Sequence, residues 1–280
     1  FVGGDRREAG GGMTRHVLSL SGGKDSAALA VYLRDRVPDM EYVFHDTGKE
    51  LPETYDYMAR LESILGRPVT RTTPEDTFEH WLAVYGDMLP SNHRRWCTKM
   101  LKLKPFENYI GDDPTINYVG LRADEKRTGY ISTKPNITAV YPFQEDGLVR
   151  ADIIRILEDS GLGLPPYMEW GRSRSGCYFC FYQQKIEWVG LMERHPEAFE
   201  NAKRMEKTAL DNGSPFTWCQ AESLVELSRP ERVAQIKADH QKKIEAAAKK
   251  RKVNPLRPDD GVVDFDEIYG TQKVCLACHK

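Results

Sequence analysis

Short apolar runs alternate with amphipathic segments through the first half of the chain. The stretches 16–20 and 41–45 are predicted to be β-strands, and 68–72 and 115–120 are predicted as the third and fourth strands. Apolar positions at helical spacing predict helices over 27–33 and 53–65, the second ending at Gly66 just before Pro68. Strands that alternate with helices predict an α/β fold, an open, mostly parallel sheet with helices on both faces.

The second half has a different rhythm and reads as mainly helical. Helices are predicted at 151–158, 187–194, 196–210 and 229–250, with a loop rich in Gly, Pro and Arg at 161–176. The change from alternating strands and helices to helices alone predicts a nucleotide-binding domain at 13–141 and a helical, cysteine-bearing region at 142–280. Residues 1–12 are Gly-rich and polar and are expected to be a leader or tag.

Composition narrows the class of protein. Among the 280 residues no apolar run approaches the roughly 18 residues of a membrane helix, so we expect a soluble, cytoplasmic protein without membrane contact. The formal charge of -2 does not by itself indicate a nucleic-acid-binding protein, although a local basic patch is compatible with it.

A polar loop joins the first predicted strand to the first helix. Glycines there let backbone N–H groups surround an anion, and the helix N-terminus adds partial positive charge. Lys24 is expected to neutralise phosphate, Ser21 and Ser26 to donate hydrogen bonds, and Asp25 to act through a magnesium ion. The loop is Ser21, Gly22, Gly23, Lys24, Asp25 and Ser26.

Three motifs together resemble one family. The first loop is similar to the PP-loop of the adenine nucleotide alpha-hydrolase superfamily (HUP-like fold), whose members cleave ATP to AMP and pyrophosphate. The stretch 46–54, Asp-Thr-Gly followed by Pro-Glu-Thr, and the stretch 120–127, Gly-Leu-Arg to Arg127, resemble segments of phosphoadenosine phosphosulfate (PAPS) reductases. The resemblance implies that Asp46, Thr47, Gly48 and Arg122 bind the nucleotide. It also implies that Lys24, Asp25 and Arg127 are catalytic.

Six cysteines include two C-x-x-C pairs, which in a protein without a secretory segment indicate a metal or redox site. Adenylyl-sulfate reductases bind a [4Fe–4S] cluster at positions that Cys97, Cys177 and Cys180 resemble, but Trp96 replaces the fourth ligand. The fourth ligand could come from Cys219, Cys275 or Cys278, or the protein could leave that position of the cluster open. Zinc is the alternative to an iron–sulfur cluster at these cysteines. A third possibility is that the cysteines are buried and inert and bind no metal.

A further stretch, Arg95-Trp96-Cys97-Thr98 and onward to Pro105, resembles the ATP pyrophosphatase subunit of Dnd- and Ssp-type DNA phosphorothioation systems. That resemblance implies an enzyme that uses ATP to activate a phosphate oxygen for replacement by sulfur. It implies as partners the DNA backbone, a cysteine desulfurase, other modification subunits and a second copy of the chain. Arg172 and Arg174 are expected either to contact the phosphodiester or to offset thiolate charge.

Three alternatives remain open at this stage. A sulfonucleotide reductase would use Cys275 or Cys278 to attack the sulfur of a bound nucleotide and release sulfite. A tRNA thiolase would bind tRNA in an ATP-dependent way. A nucleotide sensor would bind ATP without forming AMP.

Overall fold

The computed structural model describes residues 14–125, 134–207, 216–219, 221–252 and 268–269. The leader at 1–12 and three predicted site residues lie outside this part of the chain, namely Arg127, Cys275 and Cys278. Among the described residues no helix is long and apolar enough to cross a membrane.

Five parallel strands form one sheet in the order β3-β2-β1-β4-β5. The strands are β1 (Arg15–Leu20), β2 (Met40–His45), β3 (Val69–Thr72), β4 (Thr115–Tyr118) and β5 (Ile137–Val140). The chain order reverses at β1, which pairs with β2 on one side and with β4 on the other. Ligands of open parallel sheets bind at the carboxyl ends of strands beside such a reversal.

Eleven α-helices belong to the described residues, together with a π-helical stretch at Lys99–Leu103 and a 3₁₀ helix at Pro166–Trp170. The α-helices are α1 (Lys24–Leu33), α2 (Pro52–Leu65), α3 (Phe78–Val84), α4 (Trp96–Thr98), α5 (Lys104–Ile110), α6 (Pro142–Glu145), α7 (Arg150–Asp159), α8 (Lys185–Arg194), α9 (Pro196–Arg204), α10 (Leu224–Leu227) and α11 (Pro230–Lys252).

Alternate side chains of β1 point to opposite faces of the sheet, and helices cover both. Leu18 packs with α1, α2 and α7 in one apolar cluster, whereas Val17 packs with Phe106 of α5 in another. Because both faces of the central strands are covered, β1 and β2 are mostly buried, whereas the edge strand β3 is polar and partly exposed. The predicted fold class, a parallel sheet with helices on both faces and a helical C-terminal part, is confirmed.

A third apolar cluster connects the first half of the chain to the second. The ring centroids of Phe78 and Phe179 lie 4.3 Å apart, and Trp218 stacks on Phe179 at 5.1 Å. The same cluster includes Trp96 and Trp188. The cysteine-bearing segment is therefore anchored by aromatic packing. The division at residue 141 stays a prediction.

The short helices α3, α5, α6 and α10 were not predicted, and two further elements differ from the prediction. Strand β5 lies at the sheet edge and did not stand out in the sequence. The helix predicted over 196–210 ends at Arg204, because Lys207 pairs antiparallel with Phe216 and Glu206 accepts hydrogen bonds from the backbone N–H groups of Trp218 and Leu224.

Candidate active site

Three loops meet at the carboxyl edge of the sheet, following the neighbouring strands β2, β1 and β4. They contain Asp46–Gly48, Ser21–Gly23 and Gly120–Arg122. Gly120 lies so close to the start of α1 that a Cβ atom there would approach the Asp25 carbonyl oxygen to 3.0 Å. The first and third sequence motifs are therefore in direct contact.

The PP-loop turns tightly, and its glycines have no room for a side chain. Gly22 has φ +69°, and a Cβ atom there would lie 2.5 Å from Cγ2 of Thr54. A Cβ atom on Gly23 would lie 2.8 Å from Oγ of Ser175. The positive φ and the close approach of Thr54 both require glycine at position 22.

Serine hydroxyls hold the loop against α1. The backbone N–H of Ser21 donates to Oγ of Ser26 at 3.3 Å, and the Ser26 hydroxyl donates to the carbonyl of Gly23 at 3.2 Å. The two serine oxygens lie 3.2 Å apart. The predicted anion loop is thus preorganised at the N-terminus of a ten-residue helix.

A buried charge network lies at the start of α1. Nζ of Lys24 is 3.0 Å from Oδ2 of Asp25, and Nη1 of Arg122 is 2.9 Å from Oδ1 of the same carboxylate. All three side chains are buried. The structure thus brings together two predicted catalytic residues and a predicted nucleotide ligand.

Arg122 also contacts two further acids. It pairs with Asp124 at 2.9 Å and with Glu125 at 3.1 Å. Burial alone would lower the pKa of the Arg122 guanidinium, but Asp25, Glu125 and Asp124 outweigh burial and raise it further above its usual range. Arg122 therefore remains a cation inside the protein.

Both oxygens of Asp25 contact cations, so magnesium binding at this carboxylate would have to displace Lys24 or Arg122. The described donor atoms therefore do not form a ready magnesium site at Asp25. A magnesium ion that arrives bound to ATP would belong to the substrate.

The Asp46–Gly48 loop is a turn stabilised by its own aspartate. Oδ1 of Asp46 accepts hydrogen bonds from the backbone N–H of Gly48 at 2.8 Å and from the Tyr55 hydroxyl at 2.7 Å. The Thr47 hydroxyl lies 3.2 Å from Sγ of Cys177 and donates to Glu50 at 3.3 Å. The second motif therefore faces the cysteine-bearing segment.

Cys177 and Cys180 form a turn, in which the backbone N–H of Cys180 donates to the carbonyl of Cys177 at 3.0 Å. Cys97 packs against the same apolar cluster as Cys177. Burial, and then the nearby Glu50 carboxylate, raise the pKa of the Cys177 thiol to about 12. In the described part of the chain, no three His, Cys, Asp or Glu side chains form a metal-binding group. These residues do not fit a metal centre by themselves, and the cluster-ligand role of the cysteines stays a prediction.

The segment before Cys177 covers the PP-loop, which the sequence did not indicate. The backbone N–H of Lys24 donates to the hydroxyl of Tyr167 at 3.3 Å. The Ser175 hydroxyl donates to Oγ of Ser21 at 3.4 Å. Tyr167 and Ser175 thus join the candidate site from more than 140 positions along the chain.

Buried partners fix the shape of this covering segment. Nη2 of Arg172 donates to the carbonyls of Gly176 at 3.1 Å and of Cys177 at 2.6 Å. Glu187 of α8 accepts from both the backbone N–H and the hydroxyl of Ser173, at 2.6 and 2.8 Å. The segment is therefore held rigidly over the site.

Much of this chain is similar to known proteins. Residues 15–180, more than half of the chain, match the model of the phosphoadenosine phosphosulfate reductase domain. An uncharacterized protein of Methanocaldococcus jannaschii is 23% identical over 192 residues, which are 65% of this chain and 45% of that protein. The chain spans 40% of a second uncharacterized protein from the same organism.

An enzyme of known activity shows a shorter match. The adenosine 5′-phosphosulfate reductase of Staphylococcus haemolyticus is 31% identical over 114 residues, 40% of this chain and 46% of that enzyme. The crystal structure of PAPS reductase from Candida auris superposes with a TM-score of 0.48 and 14% identity, over 60% of this chain and 83% of that one. From the match over residues 15–180, this chain belongs to the phosphoadenosine phosphosulfate reductase domain family.

Proposed function

We propose that this protein binds ATP at the PP-loop and cleaves it to AMP and pyrophosphate, so that an acceptor oxygen is activated for replacement by sulfur. The observation that carries this proposal is the buried Lys24–Asp25–Arg122 network at the N-terminus of α1. Lys24 and Arg122, beside a helix N-terminus, offer N–H donors to a polyphosphate, which would bind by taking these cations over in part from Asp25 and the neighbouring acids.

Each residue has a role in this proposal. The loop 21–26 and Lys24 hold the pyrophosphate portion, and Asp46 with Thr47 and Gly48 contacts the rest of the nucleotide. Arg122 stabilises the negative charge that develops as pyrophosphate leaves, and Arg127 is proposed to share that task. Asp25 keeps the two cations correctly oriented before ATP arrives.

The reaction proceeds in two displacements. An acceptor phosphate oxygen attacks the α-phosphorus of ATP, the bond between that phosphorus and the bridging oxygen breaks, and pyrophosphate leaves with the electron pair. A persulfide sulfur then attacks the acceptor phosphorus, and AMP leaves with the original acceptor oxygen. A thiol reduces the remaining sulfur–sulfur bond and leaves a phosphorothioate.

The proposed acceptor is a DNA backbone phosphate, and the proposed persulfide source is a cysteine desulfurase. The support is the segment from Arg95 to Thr98, whose sequence resembles the phosphorothioation subunits. Cys97 of that segment packs on the same apolar cluster as Cys177. Further modification subunits and a homodimer belong to the same proposal.

The test is incubation of anaerobically purified protein with magnesium and α-labelled ATP, with DNA and a persulfide donor present. We expect labelled AMP and equimolar pyrophosphate, and loss of both with Lys24→Ala. Arg60→Gln, an exposed change on α2, serves as the matched control and should react normally. Intact ATP under these conditions would overturn the proposal.

A sulfonucleotide reductase is the second candidate, and the similarity to the adenosine 5′-phosphosulfate reductase of S. haemolyticus favours it. It requires that adenosine 5′-phosphosulfate and a thiol reductant yield sulfite and AMP without ATP. The same protein preparation tests both candidates. Sulfite formation that is lost in a Cys275→Ser, Cys278→Ser variant would establish the reductase.

A further inference from the structure

Two arginines of the covering segment, Arg172 and Arg174, are buried but differ in their hydrogen bonds to the described residues. Arg172 is 2% exposed and donates to two backbone carbonyls. Arg174 is 9% exposed, and its Nε and Nη1 atoms have no hydrogen-bond partner among the described residues. Arg174 also forms no ion pair within the described part of the chain.

A buried guanidinium without an anion is costly, because the protein interior solvates a charge less well than water does. The contact that Arg174 does make is with the ring of Tyr182, whose centroid lies 5.3 Å from its guanidinium carbon. A tyrosine ring offsets part of the cation's desolvation but leaves the Nε and Nη1 donors without a partner among the described residues. The geometry therefore leaves buried donors suited to an oxyanion.

A second arginine approaches the same ring. The guanidinium carbon of Arg95 lies 5.6 Å from the Tyr182 centroid. Arg95 is half-buried, its Nε donates to the carbonyl of Asn92 at 3.3 Å, and the preceding residues 91–94 are all exposed. Arg95 and Arg174 thus lie next to the exposed segment 91–94, which contains a further arginine, Arg94.

Arg174 lies close to the PP-loop. Arg174 directly precedes Ser175, whose hydroxyl donates to Ser21 of the loop. The charge of Arg174 also acts on Tyr167, which accepts the hydrogen bond from the Lys24 backbone. An anion held by Arg174 would therefore lie next to a nucleotide in the PP-loop.

We propose that Arg174 and Arg95, both against the ring of Tyr182, form a second oxyanion site that takes a phosphodiester of the acceptor strand. This inference rests on the proposed function, since it places the acceptor beside the α-phosphate. The nucleotide's own phosphates have Lys24, Arg122 and the helix N-terminus. Because the exposed segment 91–94 adjoins Arg95, a polymer such as DNA could reach this site from the surface. A small nucleotide would not need such a surface.

The experiment measures DNA binding and ATP binding separately on the full chain. Arg174→Gln and Arg95→Gln are compared with Arg60→Gln, in which an exposed arginine 5.5 Å from the Tyr57 ring is changed in the same way. Fluorescence anisotropy with a short labelled DNA is recorded over a range of salt concentrations. Isothermal titration calorimetry with a non-hydrolysable ATP analogue and with adenosine 5′-phosphosulfate gives the nucleotide affinities.

We expect each site variant to weaken DNA binding about tenfold and to reduce the salt slope by about one, because one phosphate contact is lost. The affinities for both nucleotides should stay within about twofold, and Arg60→Gln should match the unmodified protein. An equal loss of nucleotide binding would assign the arginines to the nucleotide and overturn the proposal. Unchanged DNA binding would overturn it as well.

A stability measurement separates a binding role from a structural one. Arg174→Met removes the unpaired charge and keeps the aliphatic stem, so its melting temperature should rise. A lower melting temperature would show that Arg174 holds the fold, which contradicts the proposal. If Arg174→Gln fails to fold, DNA binding is measured with Arg95→Gln, because Arg95 is only half-buried. ATP cleavage is not required for any of these results, so failure of the proposed catalysis would be recognised separately.

Discussion

Nη1 of Arg122 lies 2.9 Å from Oδ1 of Asp25, although 97 positions separate the two residues in the chain. Both side chains are buried, and Lys24 holds the second carboxylate oxygen. This contact ties the end of β4 to the start of α1 and sets the charge of the candidate site. The fold and the chemistry therefore depend on the same ion pair.

Arg122→Leu should lower both stability and ATP cleavage. It leaves three acids without their shared cation, and breaking a buried pair costs about 3 kcal/mol. Urea unfolding at neutral pH measures the loss, and labelled AMP measures turnover. Arg155→Leu on the exposed face of α7 is the control and should change stability by less than about 0.5 kcal/mol. Equal effects of the two substitutions would contradict the role assigned to Arg122.

Gly22→Ala should destabilise the protein more than Gly66→Ala. Both glycines have positive φ, so both variants incur backbone strain of about 1 kcal/mol. Only at Gly22 would the new Cβ atom meet a side chain, that of Thr54 at 2.5 Å, whereas nothing lies within 4 Å at Gly66. Urea unfolding of both variants gives the difference, and adding Thr54→Ser to Gly22→Ala should recover part of it. Equal destabilisation would mean that the PP-loop has room for a side chain.

Stability should fall in acid partly through Glu41. Hydrogen bonds from Arg15 and Tyr109 hold the pKa of the Glu41 carboxyl below its usual value of 4.5, against burial, which raises it. Its contribution is therefore complete above about pH 4.5 and is lost as the pH falls through the lowered pKa of the folded protein. Since the pair is partly exposed, we expect about 0.5–1 kcal/mol.

Urea unfolding between neutral and acid pH, with Glu41→Gln, tests this. The variant should lose stability at neutral pH and differ less from the unmodified protein in acid. Glu158→Gln, at an exposed residue of α7 without an ion pair in the described structure, is the control and should change stability at neutral pH by less than about 0.5 kcal/mol. A constant difference for Glu41→Gln across the pH range would refute the assignment.

In protein stripped of metal by a chelator, Cys177 should resist alkylation. With a pKa of about 12, its thiolate fraction at pH 8 is about a thousandfold below that of a free cysteine. Iodoacetamide labelling followed by peptide mass spectrometry reports the rate at Cys177. The same cysteine in urea is the control and should label rapidly. Equal rates in folded and unfolded protein would show that the site does not protect the thiol.

The sheet and the strand-end loops could be predicted from the sequence because their signals are local. The apolar character of β1 and β2, and the alternation of strands with helices, indicate the first four strands, and glycine-containing motifs follow β1, β2 and β4. Tyr167 and Ser175 could not be assigned to the site, because packing between distant segments places them over the PP-loop. Strand β5 lies at an edge of the sheet that the described residues form, and only Ile137 of its four residues is buried, so its pattern is weak.

The pairing of Asp25 with Arg122 was also beyond the sequence. Two motifs at neighbouring strand ends predict proximity, but not which charges neutralise each other. Likewise, Arg172 and Arg174 look alike in the sequence. Only the structure shows that Arg172 donates to two backbone carbonyls, whereas Nε and Nη1 of Arg174 have no partner among the described residues.

The central claim is that an acceptor phosphate oxygen attacks the α-phosphorus of ATP, and oxygen tracing tests it most directly. DNA labelled with ¹⁸O at its non-bridging phosphate oxygens is incubated with the protein, magnesium, ATP and a persulfide donor, and the released AMP is analysed by mass spectrometry. The proposed mechanism predicts AMP that carries one ¹⁸O from the DNA, in an amount equal to the phosphorothioate formed. AMP whose new oxygen comes only from water, or sulfite formed from adenosine 5′-phosphosulfate while ATP stays intact, would contradict it.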